Sequence, residues 1–532
     1  MGLFNTMDER KTALRNSVTG GLGIASVMLL TALAVYLPHP TRRARPVAVA
    51  APQPLPLARP VLPSVQVWLS TADRKLRLAR QPDVELTERK RLPDDVIIDT
   101  QATYQSMVGF GAAITDSSAW LIQNTMSRAQ RQAFLQELFG PPPGLNFSMT
   151  RLTIGASDFS LQHYTLDDMP AGEVDPSLAH FNVTPNIHDV IPTVQEALAV
   201  NPNLRIIASP WSAPAWMKTS ANLISGKLLE QFESVYANYL VKYVETYRGY
   251  GIPIFALTAQ NEPAFEPATY PGMAMPAETR ARFIGQYLGP ALASRAPKTI
   301  ILDWDHNWDE PAQPMTVLAD PDAARYVAGV AWHCYRGTPS SQSDVKRAYP
   351  GKDAYISECS GGDWASAKKG ELLLFARDVL LAGIRHSARG IVYWNTVLDE
   401  HHGPHLGGCE LCKGIVTIDS HTGAVSRNDE YYAFAHFSRF VLPGAVRVGS
   451  AETDRKLNNV AFQNPSDGSL VLVVVNSHLD ARAISVKEAQ TGFQYTMPPQ
   501  SLATFVWDPN PAETWIRRAL DWWKVQAKGK KK

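Results

Sequence analysis

A parallel (β/α)8 barrel joined to a β-sandwich is the fold this sequence predicts, and three observations carry the prediction. Eight apolar, β-prone runs follow one another between residues 107 and 394, most of them separated by helix-length stretches, which is the barrel count. Nearly every run ends in a carboxylate, an amide or an aromatic side chain. Strand-like segments at 65–100 and 431–509 flank the eight runs, so a sandwich can be built from both sides of the barrel.

The chain is long enough for this arrangement. Its 532 residues are 45% hydrophobic and 19% charged, with a formal net charge of +1, which describes a globular protein with a sizeable core and no global attraction for nucleic acid. Residues 1–38 include a nearly continuous apolar run over 20–38, close to the roughly 20 residues that span a bilayer. It is an export signal or an anchor. Ala48-Val49-Ala50 offers a small-residue cleavage pattern, but it stands far from the run, so an uncleaved anchor is favoured. Arg10, Lys11 and Arg15 before the run match Arg42, Arg43 and Arg45 after it, so charge leaves the orientation open. The body is expected outside the cytoplasm, tethered or exported.

Residues 39–64 are rich in Pro, Ala and Arg and read as a semi-rigid linker. Residues 65–100 alternate apolar and polar positions and predict strands of a small sheet. The barrel region, 101–430, contains the eight runs at 107–114, 148–154, 204–209, 254–259, 299–304, 327–332, 354–357 and 390–394. An open doubly wound sheet is the rival, but no Gly-x-Gly-x-x-Gly phosphate turn follows the first run. Residues 431–509 return to strand character, and 510–532 read as a helix with Trp515, Ile516, Ala519, Leu520 and Trp523 on one face and Lys528, Lys530, Lys531 and Lys532 at its end. That helix either lies on an anionic membrane surface or docks on the protein itself.

The chemistry is concentrated where the runs stop. The fourth ends in Gln260-Asn261-Glu262-Pro263; Pro263 has no N–H and cannot prolong a ladder, so the chain turns and Glu262 faces a cleft. The seventh leads into Glu358. Two carboxylates on one barrel rim suit acid–base or acid–nucleophile work. The other runs deliver Asp116, Asp158, Trp211, the group Asp303 to His306, His333 with Tyr335, and Trp394 with Asn395. Carboxylates and amides bind hydroxyls and indole faces cover the apolar side of a sugar ring, so the rim reads as a carbohydrate site.

Five motifs in order carry a family resemblance. They are Gly-Phe-Gly-Ala-Ala-Ile-Thr-Asp at 109–116, Ser-Pro-Trp-Ser-Ala-Pro-Ala-Trp-Met-Lys at 209–218, Thr-Ala-Gln-Asn-Glu-Pro at 258–263, Ser-Glu-Cys at 357–359 and Tyr-Tyr-Ala-Phe-Ala-His-Phe-Ser at 431–438. Together they resemble glycoside hydrolase family 30, the family of the acid β-glucosidases, over roughly 96–507. The resemblance implies a retaining mechanism with Glu262 as general acid/base, its pKa raised by burial or by the second carboxylate, and Glu358 as an ionised nucleophile. It implies that Asn261 holds the sugar 2-hydroxyl, that Asp116, Trp211 and Trp394 line the substrate pocket, and that His333 and Tyr335 lie near the nucleophile and line the substrate pocket too. Asn395 is a further substrate-pocket candidate. Arg151 and Asp158 read as partners of each other inside the barrel.

A loop after the last run, 401–412, gathers His401, His402, His405, Cys409 and Cys412, which the resemblance does not lead one to expect. It reads first as plain loop histidines, next as a Cys409–Cys412 disulfide, and last as zinc ligands. Cys334 and Cys359 read as small buried packing groups. No metal, cofactor or nucleotide is called for. The resulting expectation is a β-glucosidase with glucosylceramide as first candidate substrate. The alternatives are an endo-β-1,6-glucanase or other β-glycan hydrolase and, from another class, a non-catalytic membrane-tethered carbohydrate-binding protein.

Overall fold

The structure, a computed structural model, describes residues 64–365, 371–452, 454 and 456–509. The apolar run at 20–38, the linker and the basic segment at 510–532 lie outside the described residues. Among the described residues no helix is long and apolar enough to cross a membrane.

Eight parallel strands close into a barrel in chain order: Gly109–Ala112, Met149–Ile154, Arg205–Pro210, Ile254–Thr258, Ile300–Asn307, Val327–His333, Asp353–Glu358 and Ala388–Tyr393. Each falls on one of the eight predicted runs. Their sequences are largely apolar because both faces of a barrel strand are covered, one by helices and one by the barrel interior, and polar exceptions such as Arg151, Asp303 and Asp305 are themselves buried. Met149, Ile207, Ala256, Leu302, Ala331, Tyr355 and Val392, one from each of seven strands, form a buried cluster of their own within the ring.

The second body is a ten-stranded sheet drawn from both sides of the barrel sequence. Ser64–Thr71 pairs antiparallel with Ser501–Trp507, and Val96–Ser106 pairs with Val446–Ser450. The run Leu470 to Val475 explains itself by its period of two. Leu470, Leu472 and Val474 join the sandwich core, while Val471, Val473 and Val475 join the core shared with the barrel.

Two expectations are corrected here. The segment after 430 opens with a helix, Asp429–Ser438, before any strand. The apolar runs at 470–475 and 503–507 lent the whole segment strand character, but Phe434 and Phe437, three apart on one helix face, both pack on Phe110 with ring centroids 6.5 and 5.9 Å away. His436 on this helix bridges the hydroxyls of Ser70 and Thr504 at 2.9 and 2.8 Å, fastening the sheet to the barrel. Second, Cys334 and Cys359 are disulfide-bonded to each other instead of being separate packing groups. Parallel pairing sets His333 opposite Glu358, which brings the two following cysteines to a Cα separation of 5.3 Å. Cys409 and Cys412 form a second disulfide.

Candidate active site

The local chain path explains how the carboxylates reach one cavity. Past the fourth barrel strand the Asn261 N–H donates to the Pro210 carbonyl at 2.8 Å and the Glu262 N–H to the Asp305 carbonyl at 3.0 Å, so the corner is pinned to two neighbouring strands. Glu262 is forced to φ 45°, and Trp304, Asp305 and Asn395 on the same rim have φ of 76°, 52° and 78°. Left-handed backbone at non-glycine residues costs about 1–3 kcal/mol each and is kept where surroundings over-determine it. Glu358 ends the seventh strand, where the Tyr335 hydroxyl donates to its Oε1 at 2.8 Å and Arg151 pairs with its Oε2.

His333 touches both carboxylates. Its Nδ1 lies 3.0 Å from Glu262 Oε1 and 3.8 Å from Glu358 Oε1, so those two oxygens are no more than about 7 Å apart. That leaves out most of the range of about 6.5–9.5 Å that an inverting pair uses and includes the roughly 5–5.5 Å of a retaining pair.

Beneath the pair lies a fully buried network that sequence reasoning missed. Asp305 accepts from Arg151 at 2.8 Å, from the hydroxyls of Ser209 and Thr258 at 2.8 Å each, from Ser357 at 2.5 Å, and from His333 Nε2 at 3.1 Å. Arg151 also donates to Asn261 Oδ1 at 2.7 Å and lies 4.8 and 5.4 Å from the ring centroids of Trp211 and Trp394. Arg151 therefore pairs with Asp305 and Glu358, not with Asp158 as expected. The signal available in the sequence was a strand-end Asp in Asp303 to His306, but nothing in the sequence says which of its two aspartates turns inward.

Electrostatics follow from these contacts. Burial opposes charge on His333, but Glu358, Asp305 and Glu262 around it outweigh burial and lift its pKa to about 9. Burial alone would raise the Glu262 carboxyl, yet the His306 imidazole, 3.4 Å from its Oε1, and the hydrogen bond with His333 hold it well below the ordinary carboxylate range. This reverses the raised pKa expected of an acid at this position. Burial, reinforced by Glu358, pushes Asp158 up to about 8. Glu262, His306 and His333 place their donor atoms within 4.8 Å of one another, and both ring nitrogens of His333 already face carboxylates, Nδ1 towards Glu262 and Nε2 towards Asp305.

His333 should make stability pH-dependent. Its folded pKa of about 9 lies above the ordinary 6.5, so the charged ring stabilises the fold fully below pH 6.5 and that contribution is lost as pH rises through 9. The gap is worth about 3 kcal/mol. Denaturant titrations should show a fall of that size over this window, and a smaller one in His333→Gln; parallel slopes for the two proteins would assign the effect elsewhere.

The cavity above the network has a volume of about 450 Å3. Asp158, Trp211, Asn261, Glu262, Glu358 and Trp394 line it with largely buried side chains, and the exposed Phe265, Tyr335 and Trp364, with Tyr270 and the Cys409–Cys412 bridge, complete the lining. Trp211 and Trp394 stack at 5.1 Å and 18°, presenting a double indole wall. His333 is buried behind the carboxylates instead of lining the cavity. Two more expected pocket residues are elsewhere. Asn395 is fully buried and accepts from the Thr115 hydroxyl at 2.7 Å, bracing two strand ends. Asp116 turns into a separate cavity because it begins the helix Asp116–Asn124, capped by Thr115, and points away from the barrel axis. Asp158 takes the carboxylate position in the catalytic cavity that had been expected of Asp116.

A closed barrel with two carboxylates held by a buried cation network over an indole-walled cavity defines a glycoside hydrolase. The chain belongs to glycosyl hydrolase family 30: the family's TIM-barrel domain matches residues 107–441 and its β-sandwich domain 444–505. An endo-1,6-beta-D-glucanase of Aspergillus fumigatus is 36% identical over 432 residues, 76% of this chain and 85% of that one. The lysosomal acid glucosylceramidase of Mus musculus is 29% identical over 435 residues, 77% and 82% of the two chains. Among solved structures, the endo-beta1,6-glucanase BT3312 superposes with a TM-score of 0.78 at 32% identity, over 84% of this chain and 99% of that one.

Proposed function

We propose that this glycoside hydrolase is a retaining endo-β-1,6-glucanase, with Glu358 as nucleophile and Glu262 as general acid/base. Glucosylceramide, the first expectation from sequence, becomes the second reading. The observation that carries the choice is the rim of the cavity, where Trp364 and Phe265 line it and are 55% and 45% exposed, leaving aromatic surface open beside the buried carboxylates. Such platforms suit further sugar units of a polymer. The greater identity to an endo-1,6-glucanase than to a glucosylceramidase points the same way.

In this reading one glucosyl unit sits against Trp211 and Trp394, its hydroxyls held by Asp158 and Asn261. Glu358, gripped by Arg151 and Tyr335, attacks the anomeric carbon, and the glycosidic oxygen leaves with a proton. The proton is drawn from the Glu262–His333 pair. His333, carrying hydrogens on both nitrogens, passes the Nδ1 proton to Glu262 as charge grows on the leaving oxygen, and its Nε2–H stays on Asp305. Water then attacks the glucosyl ester, with Glu262 accepting its proton, and the sugar leaves with its configuration retained.

The test is hydrolysis of β-1,6-gluco-oligosaccharides and β-1,6-glucan followed by proton NMR of the new reducing end, beside glucosylceramide in detergent. The expected result is the β-anomer first, with glucan cleaved at least ~100-fold more efficiently than the lipid. Initial release of the α-anomer would overturn the mechanism, and preference for the lipid would overturn the substrate.

A further inference from the structure

A second cavity, of about 170 Å3, opens on the same face of the barrel and has no part in the chemistry above. Asp116, which follows the first barrel strand, forms one wall. Trp120 on the same helix and Leu161, Gln162, Tyr164 and Asp189 from the loop after the second strand complete most of the rest. That loop also carries Asp158 into the catalytic cavity, and Phe159, edge-on to Trp394 at 6.2 Å, lies between the two stretches.

Asp116 is the feature that calls for a ligand. It is 8% exposed, and its Oδ1 is buried with no hydrogen bond of normal geometry, only the electrostatic pull of the Ser160 hydroxyl. A carboxylate oxygen removed from water without a partner is costly, so structures rarely leave one so. Its other oxygen is fixed by the Tyr164 hydroxyl at 2.8 Å, itself held by Asn186 Nδ2 at 2.8 Å, so the carboxyl cannot turn to satisfy both oxygens at once. Burial lifts its pKa to about 6, with Ser160 and Tyr164 pulling the other way.

The surroundings select the ligand class. A hard cation wants six or more oxygens, but here only two carboxylates line the cavity, and one oxygen of each already accepts, from Tyr164 and from Asn124 Nδ2 at 2.9 Å. The remainder is amphipathic: an indole, an exposed aliphatic side chain and a solvent-facing amide. Indole beside carboxylate and amide is the combination that holds a sugar, with a ring face on Trp120 and a hydroxyl donating to Asp116 Oδ1. The volume suits a single hexose.

We propose that this cavity is an accessory carbohydrate site that takes one glucosyl unit of the polymeric β-glucan and so holds the polymer beside the catalytic cavity. The proposal rests on the β-glucan reading of the active site. It gives the enzyme a grip on long chains that a short substrate cannot use.

The experiment compares Trp120→Ala and Asp116→Asn with the parent enzyme, the second variant keeping the volume of the side chain it replaces. Retardation in native gels containing β-1,6-glucan is measured with each change placed in the inactive Glu358→Gln protein, and KM and kcat are measured in the active protein. We expect glucan retardation to weaken about tenfold and KM for the polymer to rise several-fold. Both constants for an aryl β-glucoside should stay within about twofold. Polymer retardation and KM unchanged in both variants, with glucan still cleaved, would overturn the accessory site alone. Loss of aryl-glucoside activity in both would instead make the cavity a structural support of the catalytic one. A parent protein that neither cleaves nor is retarded by β-1,6-glucan would bring down both readings together.

Discussion

Glu358→Gln should lower kcat on β-1,6-glucan by about 10^4-fold or more, because an amide in that position cannot form the glucosyl ester on which the two-step route depends. The replacement keeps the side chain's shape, and its amide oxygen can still accept from Tyr335, which donates to Oε1 at 2.8 Å. Stability should therefore change far less than rate. Glu262→Gln gives a different signature. On glucan, where the leaving sugar needs its proton, the loss should be about 10^2- to 10^4-fold. An aryl β-glucoside with an acidic phenol departs without assistance, so Glu262→Gln should still release a burst of phenol and then stall as the ester waits for its base. Absence of a burst in Glu262→Gln, or near-native turnover in Glu358→Gln, would exchange or remove the roles given to the two residues.

The strands were legible because barrel burial leaves an unmistakable trace. Most strand positions are apolar on both faces, and the cluster of polar residues near each strand's end marks where the chain reaches the rim. Glu262 and Glu358 stood out for that reason, as did Trp211 and Trp394. Direction was not legible. Asp116 and Asp158 both follow barrel strands, and whether a side chain past the last pairing turns inward depends on the first helical turn. Thr115 caps the helix at Asp116 and swings that carboxyl into the neighbouring cavity, whereas Asp158 sits in an irregular loop and lines the cavity of Glu262 and Glu358. Asn395 illustrates the same limit, since at φ 78° its side chain turns into the barrel wall. The Cys334–Cys359 bridge depends on register between two parallel strands, which no local pattern encodes. The sign of the Glu262 shift depends on two imidazoles from other strands, His306 and His333, and so required the fold.

Arg151→Met should combine a large loss of rate with a large loss of stability, and the combination is informative. The guanidinium is fully buried and is shared among Asp305, Glu358, Asn261 and Ser209. A methionine fills much of its volume but leaves two carboxylates close together with no cation between them except His333. Removing one partner of a buried ionic group costs about 3–5 kcal/mol, because the charges left behind stay desolvated. The nucleophile loses the contact that aims it, so kcat/KM should fall at least ~100-fold on the polymer and on the aryl glucoside alike. That pattern separates it from Trp120→Ala, whose effect is confined to the polymer. Arg151→Lys should restore part of the stability and little of the rate, since one ammonium group can replace the charge but cannot span three planar acceptors at once. Denaturant midpoints and initial rates for the two variants decide the matter. If Arg151→Met keeps both within error of the parent, Tyr335 and His333 alone hold Glu358 in place. If Arg151→Lys recovers full rate, positive charge rather than the guanidinium fork is what the nucleophile requires.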